Sequence, residues 1–433
     1  MLSEKNIFKL FSKYIQDTGQ AEIQLSSFNH FLNFGLQGII DNDNRIEIDI
    51  QGKFKYIVEM YDIHVDKPTI LDNNRNIREI MPNECRLRDM SYTSNIYITI
   101  VEKKCSISGE ILDKKVHTRI LIAQIPMMLQ SCKCNLNNMI VKERVKHGEC
   151  KYDKGGYFII NGKERVLVAQ ERINYNSVYT FSQKTTSKYK YITEIRSMDV
   201  IRGKSSLIQL KLLKSNDSIM MTLPNIKDDI PLSVVLLAYD YPIDKLITEV
   251  GKEDANRLMH NNLGICTKEE AYKHITSSSV QLVSEENVDE FMNDLLYKNM
   301  FQHISKNNKT KNVEFIVYML QLLLKTMNNE LEVNDRDHIS NKRCEVAGIL
   351  VNDLFRSVWK RFIKNIEQQL MKRQDIILVL SRVNSITQGM KQCFSTGNWS
   401  IFKNTYVRTG VSQILNRLTY SSMISHLKRL VIP

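Results

Sequence analysis

Apolar positions change their spacing several times along the chain, and each change marks a structural boundary. Phe28, Phe31, Leu32, Leu36 and Ile39 recur at helical intervals and predict a helix over 25–40, with another over 6–14. Over 45–65 apolar and polar residues alternate, the pattern of a half-buried strand or hairpin, and 95–101 and 117–125 are further strand candidates. Between 157 and 170, Tyr-Phe-Ile-Ile and Val-Leu-Val-Ala flank Asn161-Gly162. That pair suits a type I′ turn, whose two central residues need positive φ, so a β-hairpin is predicted. Short strand-like runs ("VYTFSQ", "YKYITEI", "SLIQLKLL", "SIMMTL") follow from 177 to about 223, and the spacing then turns helical over 231–239, 288–300 and 313–327. Strands followed by helices, inserted between other segments, predict an independent α+β unit. Over 341–372 a long helix places Val346, Leu350, Leu354, Val358 and Phe362 on one stripe, with Trp359 and Lys360 on its flank.

Composition narrows the picture. A length of 433 residues allows two or three domains, and 42% hydrophobic with 25% charged residues is ordinary for a globular protein. No apolar run is long enough to cross a membrane, and the start "MLSEKNIFKLFSKY" lacks the apolar core of a secretion signal. The expectation is an intracellular protein with no membrane partner. Eight cysteines are scattered without a framework, and only Cys132 and Cys134 lie close together, which predicts reduced thiols and no zinc site. The net charge of +12 favours an anionic partner, nucleic acid first. Abundant Lys, Asn and Ile with only 7 Pro suggest AT-rich coding.

Few residues form a chemical constellation. Asp335, Arg336, Asp337 and His338 have the elements of a metal or acid/base cluster, but two carboxylates directly before a long helix read first as N-terminal caps. Glu84, Arg86 and Arg88 alternate, and on a strand they would share one face as a salt-bridged ladder. Lys142, Arg144, Lys146, Lys151 and Lys154, diluted by Glu143, Glu149 and Asp153, form a basic loop-like segment. No phosphate-binding loop, nucleophile elbow, zinc-protease motif or dinucleotide fingerprint occurs in the sequence.

The last stretch, 395–433, is the most specific. A Gly-Asn-Trp turn and a cationic loop lead into a segment expected to be helical, with Gln413, Asn416, Arg417, His426, Lys428 and Arg429 on its polar face. Amides and guanidinium groups after a basic loop suit contact with a nucleic-acid backbone.

The wording of that segment, "GVSQILNRLTYSSMISHLKRL", resembles the fork region of the second-largest, β-like subunit of multisubunit DNA-directed RNA polymerase. Further blocks resemble that family in its own order: "PNECRLRDMSYTSNIYITI", "IPMMLQSCKCNL", "GGYFIINGKERVLVAQERI" and "NDRDHISNKRCEVAGILVNDLFR". The "AQER" after the hairpin leans to the eukaryotic and large-DNA-virus branch, and the composition leans to a virus.

The resemblance implies an α+β multidomain fold: a protrusion from 1–174 and 334–390, a lobe from 175–333 and the start of the fork from 391–433. It implies a role in DNA-templated transcription, walling the DNA cleft and standing near the RNA–DNA hybrid. It implies nucleic-acid contacts by Lys403, Arg408, Gln413, Asn416, Lys428 and Arg429, and no catalytic or metal-binding residue on this chain. The Mg2+ of the assembled polymerase would be held by aspartates of the largest subunit. Implied partners are that largest subunit, a polypeptide carrying the C-terminal half, smaller subunits, the DNA template and the hybrid. The expected location is the nucleus, or a cytoplasmic viral factory or virion. The second fork loop, hybrid-binding core, wall and anchor lie past the matched blocks, so activity of this chain alone is not expected. Two other classes stay open: a stand-alone polymerase-derived binding or titrating module, and a small nuclease built on Asp335 and Asp337.

Overall fold

The computed structural model describes residues 4–50, 54–72, 76–106, 110–260, 264–280, 284, 287–304, 309–373, 375–399 and 408–432. It is a mixed helix-and-sheet structure with several sheets. Contacts divide the chain into two compact units: Met1–Arg172 with Cys344–Pro433, and Ile173–Arg343.

The first unit is built on a four-stranded antiparallel sheet in the order Arg45–Ile50, Phe54–Val65, Thr93–Ser106, Ile111–Pro126. Alternation along Thr93–Ser106 buries Ile96, Ile98 and Ile100 on one face, which is the period-two pattern a one-sided sheet demands. The helix Ala347–Leu370 runs through the same core and buries Leu350, Leu354, Val358, Phe362, Ile366 and Leu370 at four-residue intervals. It starts later than the sequence predicts, because Lys342–Glu345 is a strand. Truncating Phe362 to Ala would remove a fully buried ring at a cost of about 3–5 kcal/mol.

The start of this helix is capped from far away. Ala347 N–H donates to Gln24 Oε1 (3.0 Å) and Gly348 N–H to Ser27 Oγ (3.1 Å), so two of its orphan donors are satisfied by the helix Glu22–His30. A Cβ at Gly348 would run into the Ser27 carbonyl, which explains glycine at that crossing. The helix predicted over 25–40 is three consecutive pieces, Glu22–His30, a π turn Phe31–Gly35 and Leu36–Asn42.

The predicted hairpin is present: Phe158–Ile160 pairs with Lys163–Leu167 around Asn161 (φ 49°) and Gly162 (φ 73°). Its second arm breaks at Val168, and Ala169–Ile173 joins another sheet.

The second unit has its own core. Val178–Ser182, Tyr189–Asp199, Lys204–Leu213, Ile219–Thr222 and Ile230–Pro231 form an antiparallel sheet in sequence order. Helices follow, including Leu232–Ala238, Lys268–Ser277 and Lys309–Met327, and bury Leu232, Val235, Ile275, Ile316, Leu320 and Leu323 against Ile208 and Leu210. Within this unit Asp229 accepts hydrogen bonds from Lys211 Nζ, Tyr189 Oη and Thr222 Oγ1 (2.7–2.8 Å). Burial raises its pKa, and these donors outweigh that and hold it below the usual value.

Three expectations are corrected. Asp335 and Asp337 do not cap the long helix, since a 3₁₀ turn and the strand Lys342–Glu345 intervene. Instead Asp337 N–H donates to Asp335 Oδ1 (2.9 Å), and Arg336 pairs with Glu194 (3.0 Å). Glu84, Arg86 and Arg88 lie on or beside a helix, Pro82–Leu87, so they do not share a strand face. Pro82 at its first turn is the reason: its fixed φ starts a helix and its missing N–H costs nothing there. Glu84 then pairs with Arg88 one turn on (2.6 Å) and with Arg78, while Arg86 points elsewhere. Last, the segment 412–430 is not one helix. It is a strand Ser412–Ile414, a loop, a helix Tyr420–Leu427 capped by Thr419, and a strand Leu430–Val431.

Candidate nucleic-acid interface

The C-terminal segment is bound into the hairpin sheet. Ser412–Ile414 pairs antiparallel with Lys163–Leu167, and Leu430–Val431 pairs parallel with Ala169–Ile173. These ladders take the backbone donors and acceptors that a continuous helix would have used internally, which is why the helix is short. Gln24 Nε2 donates to Leu427 O (3.0 Å) and fixes the end of Tyr420–Leu427.

Between the two strands the loop is locked by an ionic cluster. Arg417 donates from Nε to Glu164 Oε2 (2.6 Å) and from Nη2 to Asp153 Oδ2 and Tyr157 Oη (both 2.8 Å). Arg86 donates to the same Glu164 (2.7 Å), to Glu149 (2.8 Å) and to Tyr157 Oη (2.8 Å). The Tyr157 hydroxyl in turn donates a hydrogen bond to Asp153 Oδ2 (2.7 Å). Glu149 and Asp153 are 5% and 7% exposed, Arg86 19% and Arg417 36%. Burial disfavours the charged guanidinium groups, but the surrounding acceptors outweigh it and hold both above their ordinary pKa. Two cations and three carboxylates leave no free positive charge, so this cluster positions the segment. Glu149 and Asp153, which in the sequence only dilute a basic run, are its buried anchors.

The sequence-predicted contacts separate into two sets. Arg408 is held by the fully buried Glu345 (2.7 Å). Gln413 sits on the strand, donates to Gly410 O (2.9 Å) and faces His426 Nε2 through Oε1 (3.0 Å). Asn416 Oδ1 accepts from Leu418 N–H (3.0 Å) and Ser422 Oγ (3.1 Å) in the loop. These three are engaged internally and do not share a helical face with the others. Lys428 and Arg429, just past Leu427, are exposed and have no side-chain hydrogen bond or ion pair among the described residues. Lys403 lies outside the described residues.

His426 is buried, with Nδ1 accepting from Asn416 N–H (3.2 Å). Burial and then the Arg429 charge lower its pKa, so the neutral ring is favoured. That fixes Nε2–H as the donor to Gln413. Sequence reasoning missed Arg86, Glu149, Asp153, Tyr157 and Glu164 as a unit. Among the described residues no group of three or more His, Cys, Asp or Glu is placed to hold a metal ion, and no helix is long and apolar enough to cross a membrane.

Comparison with known proteins agrees with this architecture. A family model described as RNA polymerase beta subunit matches residues 19–388. The whole chain aligns at 31% identity with DNA-directed RNA polymerase II subunit 2 of Arabidopsis thaliana, covering 40% of it. It is 30% identical to a probable DNA-directed RNA polymerase II subunit RPB2 homolog of Invertebrate iridescent virus 3 (42% covered). It is 28% identical to the DNA-directed RNA polymerase subunit Rpo2 of Sulfolobus acidocaldarius (38% covered). The chain thus spans about two-fifths of the length of the curated relatives it matches. With the matched blocks in order along nearly all of it, this chain belongs to the RNA polymerase beta subunit family.

Proposed function

We propose that this chain is the N-terminal part of a second-largest polymerase subunit and acts as scaffold in DNA-directed RNA synthesis. The observation that carries the reading is the family match over 19–388. In this reading the first unit supplies protrusion and fork and the second supplies the lobe. Together they would wall the DNA cleft and keep the hybrid and downstream strands apart. The nucleotidyl transfer would belong to the assembled enzyme, with Mg2+ on the largest subunit.

Lys428 and Arg429 are the nucleic-acid neighbours this reading favours, because they are charged, exposed and unpaired. Arg408, Gln413 and Asn416 serve it by holding the loop that presents them. Partners would be the largest subunit, the polypeptide bearing the remaining length, smaller subunits, template and hybrid, in a nucleus or a viral factory.

A native pull-down of the tagged chain, with mass spectrometry of each copurifying polypeptide, tests this. A largest subunit together with the remaining β-like length is the expected result. Neither of them would leave a stand-alone binding module as the better reading.

A further inference from the structure

A second cluster of cations in the first unit lies in a cleft with no carboxylate in its lining. The helix Ala347–Leu370 carries Arg361, Asn365 and Gln368 at positions i, i+4 and i+7, a polar stripe on one side. The helix Ser385–Thr396 carries Gln388 and Gln392 one turn apart, and Arg382 ends the helix Ile376–Arg382. These six side chains line one open cleft of about 420 Å³. None of them makes a side-chain hydrogen bond or ion pair among the described residues, and no Asp or Glu lines the cleft.

The Ser385 hydroxyl lines it as well, buried and without a partner. Buried polar atoms without partners are uncommon in folded proteins, and each calls for an explanation such as an absent ligand. The surrounding segment, 360–391, carries seven Lys/Arg against two Asp/Glu.

We infer that this cleft binds the phosphodiester backbone of a nucleic acid. Two guanidinium groups supply charge and forked donors, and the amides supply further N–H groups for phosphate and sugar oxygens. Val383 is its only apolar lining residue, so the cleft lacks the aromatic or aliphatic pocket that anchors a protein partner. The amides also have oxygen acceptors, which suit sugar hydroxyls and base edges and find no counterpart on a purely acidic peptide. The proposal stands on this donor set and not on the subunit assignment: a pull-down without a largest subunit would leave it standing.

The test is fluorescence anisotropy of the 433-residue chain with a labelled DNA duplex and, separately, a labelled single-stranded RNA, across about 50–200 mM salt. In the double variant Arg361→Gln, Arg382→Gln the affinity at low salt falls roughly tenfold. The slope of log K against log salt shrinks by about two phosphate contacts, near 1.8 for duplex and 1.4 for single strand. The larger loss of affinity identifies which nucleic acid the cleft prefers. The double Lys variant, which keeps the charge and loses the fork, retains the slope and binds at intermediate strength. Thermal melting verifies that both variants fold. Unchanged affinity and slope in a folded Gln variant would overturn the proposal. So would polyglutamate binding that disappears in that variant while nucleic-acid binding persists.

Discussion

Two pairs of arginines in one unit meet opposite surroundings. Arg86 and Arg417 come from chain positions far apart and converge on Asp153, Glu149, Glu164 and Tyr157. Arg361 and Arg382 lie close in sequence and line a cleft whose other polar side chains are amides and the Ser385 hydroxyl, with no carboxylate. The residue type is the same, so it says nothing about the role. What decides is whether the fold supplies acceptors. Where it does, the charge is consumed in holding a loop; where it does not, the charge is left for a ligand.

The largest effect should come from emptying the paired cluster. Arg86→Met leaves the buried Glu149 without its cation and Glu164 with Arg417 alone, and should cost about 3–5 kcal/mol, seen as a lower urea midpoint. A cost under about 1 kcal/mol would show that the cluster is not what secures the segment. Glu164→Gln keeps an acceptor for one arginine and removes the shared charge, so about 1–3 kcal/mol is expected. Equal losses in this variant and in Arg86→Met would mean the two arginines do not share Glu164 as drawn.

Acid should loosen the same segment. Because the folded His426 pKa is lowered, the unfolded chain takes up the proton first. The stability it contributes is fully present above about pH 6.5 and declines as pH falls through and below that value. The protection factor of the Asn416 amide, whose acceptor is His426 Nδ1, should fall more with acid than those of neighbouring amides. An Asn416 amide that keeps its protection in acid would remove His426 as the cause. Smallest of all, Arg361→Gln and Arg382→Gln should each leave stability within about 0.5 kcal/mol, since neither has a partner to lose. A clear loss of stability there would reveal a structural role and erase the contrast.

Local rules explain what the sequence showed. The hairpin at Asn161-Gly162 and the Leu350–Phe362 stripe depend on backbone geometry within a few residues, and both appear as read. The strip Glu84, Arg86, Arg88 misled because Glu84 and Arg88 also sit one helical turn apart, and Pro82 had settled the matter. The ionic cluster was illegible for another reason. Arg86 and Glu149 are 63 residues apart and Arg417 and Asp153 264, so no spacing rule links them. Arg417 was visible as one of several polar residues, but nothing nearby marked it as paired while Lys428 and Arg429 stay bare. The helix expected over 412–430 failed because its strand partners lie at 163–173.

The side chain of Gln24 has a bearing on how the protein is made. Its amide touches Ala347 and Leu427, so the first unit closes only after the ribosome has passed both. Residues 173–343 are synthesised in the interval and form a contiguous unit with a separate core. From Phe31 to Phe355 is 324 residues, so at roughly 5–20 residues per second Phe28 and Phe31 wait about 15–65 s for the helix that covers them. The middle of the chain is therefore free to fold before its beginning, while the apolar side chains around Phe28 and Phe31 wait for a helix made later.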